Sequence, residues 1–237
     1  MRELFGDSAT DHAGLYTART SDLNEPFNFI TLRPFSDKVA GRIGLYNIGF
    51  FPSELHAARS GAYNNPDGFV EVTANNQFTS VSQHFTLSDF LTHDQVRVWP
   101  KYLVLQEPLL DKLELVIAEL GNMGVPVKRM KVMSGFRTPQ YNQPGVGAGG
   151  RAQDSRHQFG DAADVYVVNG DRDWMSDINR DGKVDSRDAK LLAQAAERVE
   201  TAHPDLVGGI GIYAATSEHG PFVHIDTRGV RARWGVQ

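Results

Sequence analysis

Ser155-Arg156-His157-Gln158-Phe159-Gly160-Asp161-Ala162-Ala163-Asp164 is the stretch on which the reading of this chain turns. Its form is S-x-H-x-x-G-x-A-x-D. A His and an Asp at this spacing do not share a helix face, but a loop that turns at Gly160 into a strand brings both side chains to one point. Small Ala162 and Ala163 leave room for that approach. Further along, Phe222-Val223-His224-Ile225-Asp226 alternates with period two, which sets Phe222, His224 and Asp226 on one strand face and Val223 and Ile225 on the other. Two His and one Asp as ligands leave a fourth tetrahedral position for water, the arrangement of a catalytic rather than a structural zinc. Zinc in such a site lowers the pKa of water toward ~7 and polarises a scissile carbonyl. A lone His is more often a satisfied structural residue than a ligand; two such motifs together reverse those odds.

The texture of the chain changes on either side of residue 81. The first part is rich in Gly, Pro, Asn and aromatics, with short apolar runs at Phe27 to Leu32, Ile43 to Ile48 and Phe69 to Val72, and reads as strands and loops. Its aromatics are most simply its own core. Helical signals begin at Leu87, with Ser88 as the expected N-cap. After Pro108 the spacing of Leu109, Leu113, Val116 and Leu120 predicts a helix that stops near Gly121. Strands are expected at Met130 to Met133, Asp164 to Val168, Ile210 to Tyr213 and Phe222 to Asp226, and a helix from Asp188 to Ala202. Without a βαβ rhythm the expected class is α+β: an antiparallel sheet with flanking helices that holds the His/Asp/His site over 82–237, and a β-rich N-terminal subdomain over 1–81.

Composition narrows the chemistry. The 237 residues are 41% hydrophobic, and 24 Lys+Arg against 29 Asp+Glu give a net charge of -5, a globular pattern without the dense basic block that nucleic acid requires. The apolar runs fall far short of the ~20 residues of a membrane helix. With 0 Cys, any metal must be held by His and carboxylate. The segment Met1 to Asp7 turns acidic by Glu3 and has no apolar core of a signal peptide, so either the protein is cytoplasmic or a leader is missing from this chain.

Four segments taken in order resemble the zinc D-Ala-D-Ala carboxypeptidase and murein endopeptidase family. They are Met133-Ser134-Gly135-Phe136-Arg137-Thr138-Pro139-Gln140-Tyr141-Asn142, the S-x-H-x-x-G-x-A-x-D stretch, Gly208 to Tyr213, and Phe222 to Arg228. The likeness covers about Ser82 to Trp234. It implies the zinc fold shared with lysostaphin-type peptidases and the hedgehog signalling domain, with His157, Asp164 and His224 as zinc ligands and Arg137 in contact with substrate. An Arg there suits a substrate carboxylate or a developing oxyanion, with a structural salt bridge as its bland alternative.

Many relatives place a Glu three residues before the last ligand, where this chain has Pro221. That leaves His219 and Asp226 level as candidates for the general base, Asp226 also as a residue that orients His224, and Glu218 third. His84 is expected to pack or cap. Arg228, Arg231 and Arg233 read as a solvated or carboxylate-paired face around Trp234. The resemblance implies peptidoglycan stem peptides or cross-links as substrate, a monomer, and a periplasmic or secreted location. The alternative function is a zinc- and calcium-containing module that binds cell wall or a protein without cleaving it, and a third reading gives the function to the N-terminal subdomain.

A second metal is expected in Asp177-Ile178-Asn179-Arg180-Asp181-Gly182-Lys183-Val184-Asp185-Ser186-Arg187-Asp188. Asp177, Asn179, Asp181, Asp185 and Asp188 fall at the oxygen-ligand positions of an EF-hand loop, Gly182 at its sharp turn, and Lys183 at the position that gives a backbone carbonyl. The loop resembles the dockerin variant, which ends in Asp. It predicts a structural calcium site ahead of an exiting helix with Leu192, Ala195, Ala196 and Val199 on one face.

Overall fold

The computed structural model describes residues 6, 13–19, 27–56 and 60–236; apart from Gly6, the leader reading of Met1 to Asp7 lies outside the described residues. The architecture is mixed α+β, as expected, with mostly antiparallel sheets and few helices. In the first part, β1 (Gly14–Ala18) and β2 (Phe27–Thr31) pair antiparallel, and β3 (Arg33–Pro34) lies at the edge of a three-stranded sheet. A small hairpin of β4 (Arg42–Ile43) and β5 (Tyr46–Asn47) and the single turn α1 (Pro52–Leu55) follow. That three-stranded sheet is completed by β6 (Gly68–Val72) and β7 (Lys101–Leu103), paired Val70 to Leu103 and Val72 to Lys101. The ladder therefore crosses residue 81, and one hydrophobic core runs through both parts.

That core reaches the metal motif through rings. Phe51 and Tyr63 pack on Phe159 with centroids 6.2 and 5.5 Å apart, and Phe35 and Phe51 in turn pack on Phe69. Arg156 stacks between Tyr63 and Phe159, binds both oxygens of Asp161 and donates to the carbonyl of Ala62. The aromatic first part is thus the bed on which the loop of His157 is seated, and Arg156 is buried without an unpaired charge.

The second part opens with α2 (Glu107–Asn122), whose Leu109, Leu113, Val116 and Leu120 are all fully buried. It continues through β8 (Arg129–Ser134), the short α3 (Pro139–Asn142), β9 (Ala162–Val168), α4 (Ser186–Ala202), β10 (Gly209–Tyr213), β11 (Phe222–Asp226) and β12 (Ala232–Gly235). The strands form one sheet in the order β12-β10-β11-β9-β8, antiparallel throughout except for the β10/β12 pair. Helix α4 packs on β10, β11 and α2, burying Leu192, Ala195, Ala196 and Val199 as its period requires.

One local expectation, the N-cap at Ser88, is corrected. The N-cap near residue 88 is Thr86, whose amide donates to Asp89 Oδ2 and so closes a capping box around the short turn Leu87–Phe90. The carboxylate pairing expected of the basic segment is present, with Arg228 on Asp226, Arg231 on Glu197 and Arg233 on Glu197 and Glu200, and part of the segment is strand β12 beside β10. The helix after Pro108 passes Gly121 and ends at Asn122, with the left-handed residue at Gly124.

Candidate metal centre

Strand pairing does most of the assembly. Asp164 of β9 and His224 of β11 are direct cross-strand partners, and the same row continues to Ser134 on one side and to Gly211 and Trp234 on the other. Partners in one row present side chains to one face at close range. His157 enters from outside the sheet, on a single 3-10 turn (Arg156–Phe159) that ends at Gly160 with φ +72°. A side chain at residue 160 would run into the Val104 carbonyl at 2.3 Å, so glycine is required there for conformation and for space.

Three atoms converge. His157 Nε2 lies 3.1 Å from His224 Nδ1 and 3.3 Å from Asp164 Oδ1, and His224 Nδ1 lies 3.0 Å from Asp164 Oδ1. Zinc at ~2.0–2.1 Å from tetrahedral donors separates those donors by roughly 3.3 Å, so the triangle fits such an ion. Among the described residues this is the one His/Cys/Asp/Glu group of that kind.

The outer hydrogen bonds decide what the inner atoms offer. His157 Nδ1 donates to the Gly135 carbonyl at 2.7 Å, and His224 Nε2 donates to Asp226 Oδ2 at 2.9 Å. A neutral imidazole that donates from one nitrogen presents a lone pair at the other. Lone pairs of both imidazoles and an oxygen of Asp164 thus face one point, which a metal ion or a proton on one ring can occupy. Burial lowers the pKa of His157, with help from Arg137 and His224. Burial also opposes charge on Asp164 and His224, but is outweighed: His157 first, then His224 and Arg137, hold Asp164 well below the usual carboxylate range, and His224 is raised by hydrogen bonds to Asp164 and Asp226. A proton on His224 Nδ1 and a metal ion are alternatives for one place.

Arg137 donates from Nη2 to the second oxygen of Asp164 and from Nε to Ser134 Oγ. Its backbone amide is held by the His157 carbonyl. It therefore makes the salt bridge that the sequence reading held as its bland alternative, while its side chain stays 15% exposed at the site. Asp226 is fully buried, and its oxygens accept from His224, from the Gly209 amide and from both the backbone and side chain of Arg228. Burial resists its ionisation, yet His224 and Arg228 hold its pKa far down. It stands behind His224, turned from the converging atoms.

His219 sits in the loop before β11, half-buried. Its ring meets Phe222 edge-on at 5.0 Å, and Nδ1 donates to the Gly220 carbonyl at 2.9 Å, so Nε2 carries the lone pair. Phe222 lies on the same face of β11 as His224, two residues before it. Glu218 is exposed in the same loop, and His84 is tied to Glu114 at 2.5 Å.

The candidate calcium loop keeps its turn. Gly182 and Arg180 have φ of +84° and +61°, and Asp177 accepts from the amides of Asp181 and Gly182. Asn179 and Asp181 accept from the amides of Asp181 and Lys183. Asp185 is the N-cap of α4 and is paired with Arg187, which also meets Asp181 at 2.6 Å. Asp188 is fully buried and accepts from the amides of Ile178, Asn179 and Asp185. The carboxylates point into their own backbone rather than to a common centre.

Sequence reading gave no site role to Gly135, which acts through its carbonyl, to Trp234, beside His224 at 5.1 Å, or to the exposed His93 near Arg137, and the carboxylate expected for Arg228 is that of Asp226. The small-residue spacing Gly209-x-Gly211 was the available signal. A Cβ at 209 would lie 2.4 Å from Asp226 Oδ2, and one at 211 2.4 Å from the Trp234 indole. No family model matches the chain, and no curated protein and no solved structure matches it.

Proposed function

We propose that this chain is a zinc-dependent peptidase that hydrolyses peptide bonds in the stem peptides or cross-links of bacterial peptidoglycan, as a D-Ala-D-Ala carboxypeptidase or murein endopeptidase. The observation that carries the metal is the convergence of His157 Nε2, His224 Nδ1 and Asp164 Oδ1 at 3.0–3.3 Å with their other sides occupied. The substrate class rests on the likeness of the four motifs. Bound zinc would supply Lewis acidity and a water acidified toward ~7. Arg137 keeps Asp164 turned to the metal and offers its remaining guanidinium N–H groups to substrate. Asp226 positions His224, and the free Nε2 of His219 is the better-placed proton carrier. The Asp177 to Asp188 loop is proposed as a structural calcium site. Such a substrate places the protein in the periplasm or outside the cell.

The test has two parts. One equivalent of zinc should bind, and His157→Ala or His224→Ala should abolish that stoichiometry, read by metal analysis. Purified peptidoglycan should release muropeptides, identified by mass spectrometry, and a chelator should stop the release. Full zinc retention in either variant would sink the site. Stoichiometric zinc without any released muropeptide would make the chain a binding module.

A further inference from the structure

One group on the metal face has no role so far. The segment before β7 runs alongside the Ser134 to Thr138 loop: Phe136 N donates to the Phe90 carbonyl at 2.9 Å, and Thr92 Oγ1 donates to the Phe136 carbonyl and accepts from Thr138 N at 3.0 and 3.1 Å. The approach is close enough that a Cβ at Gly135 would lie 2.6 Å from Phe90 Cα. Thr92 thus straddles the backbone of Arg137, and the next residue, His93, has an exposed side chain within electrostatic reach of Arg137 and Lys131.

Lys131 belongs to the same edge. It pairs across the ladder with Tyr166, which lies two residues from Asp164 along β9 and so on the same face. Partial burial lowers the pKa of His93, Arg137 and Lys131 push the same way, and Asp94 opposes them. Three cationic or ionisable groups therefore gather at the β8 edge. Two already hold a carboxylate: Arg137 that of Asp164, and Lys131 that of Asp173. Among the described residues the His93 ring has no such partner.

Resting on the peptidase reading, we infer that His93 is a specificity-determining residue that meets a free carboxylate of the substrate between Arg137 and Lys131. A carboxylate arriving there finds one unpaired donor and two cations that reinforce it, whereas an amide gains only the neutral hydrogen bond. Stem peptides carry this group in two places, the chain terminus and the side chain of a diamino-dicarboxylic residue.

The experiment uses the zinc-loaded chain and two pairs of synthetic stem peptides ending in D-Ala-D-Ala. One pair differs by a free or amidated terminus, the other by a free or amidated side-chain carboxylate on a diaminopimelate residue. In one pair the wild type should prefer the acid, and His93→Gln should raise KM for that acid ~10-fold while leaving kcat and the amide within about twofold. His84→Gln, whose ring is held by Glu114, is the control and should change neither. The pair that splits identifies the carboxylate. Equal effects of His93→Gln on acid and amide in both pairs would overturn the inference with the peptidase intact. Should no peptide be cleaved, the peptidase reading fails, and binding decides this one: the His93 ring signal, assigned by its loss in His93→Gln, must shift in NMR on adding an acid peptide and stay on adding its amide. No shift with either acid overturns it.

Discussion

Hydrogen bonds from His224, Gly209 and Arg228 all end on the two oxygens of Asp226, and none is left for a reacting proton. His219 presents the opposite case, a ring fixed at one nitrogen and open at the other. The two variants should therefore fail differently. His219→Ala should lower kcat by ~10²–10⁴ with zinc retained, whereas Asp226→Asn should weaken zinc by ~10–100-fold in a competition titration. Near-native turnover of His219→Ala would move the base to Glu218. Asp226 also makes a pH prediction for the metal-stripped chain. Its folded pKa is depressed, so the carboxylate stabilises the fold fully above the unfolded value of ~3.9, and this is lost as pH falls through the folded value. The stability gap between wild type and Asp226→Asn in urea should be widest near about pH 5; it narrows below about pH 4, where Asp226 of the unfolded chain takes up a proton, and narrows again as pH rises past the folded pKa of His224, which Asp226 helps to raise. At this scale the ligands were legible because alternation and a Gly turn are local. The separation of Asp226 from His219 was not, because it depends on which side of His224 each approaches.

Elements were legible where their period is long. The span Phe222 to Asp226 matches β11, and α4 begins two residues before its expected start because Asp185, a proposed ligand, is its N-cap. β12 escaped notice since Ala232-Arg233-Trp234-Gly235 is too short to show an apolar alternation, and its pairing is set by β10. The calcium loop is where element and ion compete. Arg187 already neutralises Asp181 and Asp185, and Asp188 serves three amides. Calcium should raise the melting temperature by a few degrees, as ligand linkage requires. Asp177→Ala should abolish that rise, with zinc unaffected, and Arg187→Ala should enlarge it by removing the resident cation. An unchanged melting curve for wild type and Arg187→Ala alike, with no heat in calorimetry, would dismiss the ion.

Across the whole molecule, one buried cation ties the helical layer to the metal face. Lys112 of α2 is fully buried and donates to Glu200 of α4 at 2.6 Å and to the Asp226 carbonyl at 2.7 Å. Glu200 in turn accepts from the Gly208 amide and pairs with Arg233 of β12. Nothing in the sequence marked Lys112, because a Lys within an amphipathic helix reads as solvated until its long-range partners are known. The same holds for the first part of the chain, whose strands were legible but whose pairing across residue 81 was not. Burial lowers the pKa of Lys112 against the pull of Glu200, so the charge is retained only because both acceptors are in place. Removing it leaves the buried Glu200 with only Arg233 and the Gly208 amide, and frees the carbonyl of the residue that positions His224. Lys112→Met should therefore cost ~3–5 kcal/mol in urea unfolding, and at temperatures where the variant remains folded it should weaken zinc as well. A variant as stable as wild type would show that Arg233 alone compensates Glu200, and a stability loss with unchanged zinc affinity would confine Lys112 to the helical layer.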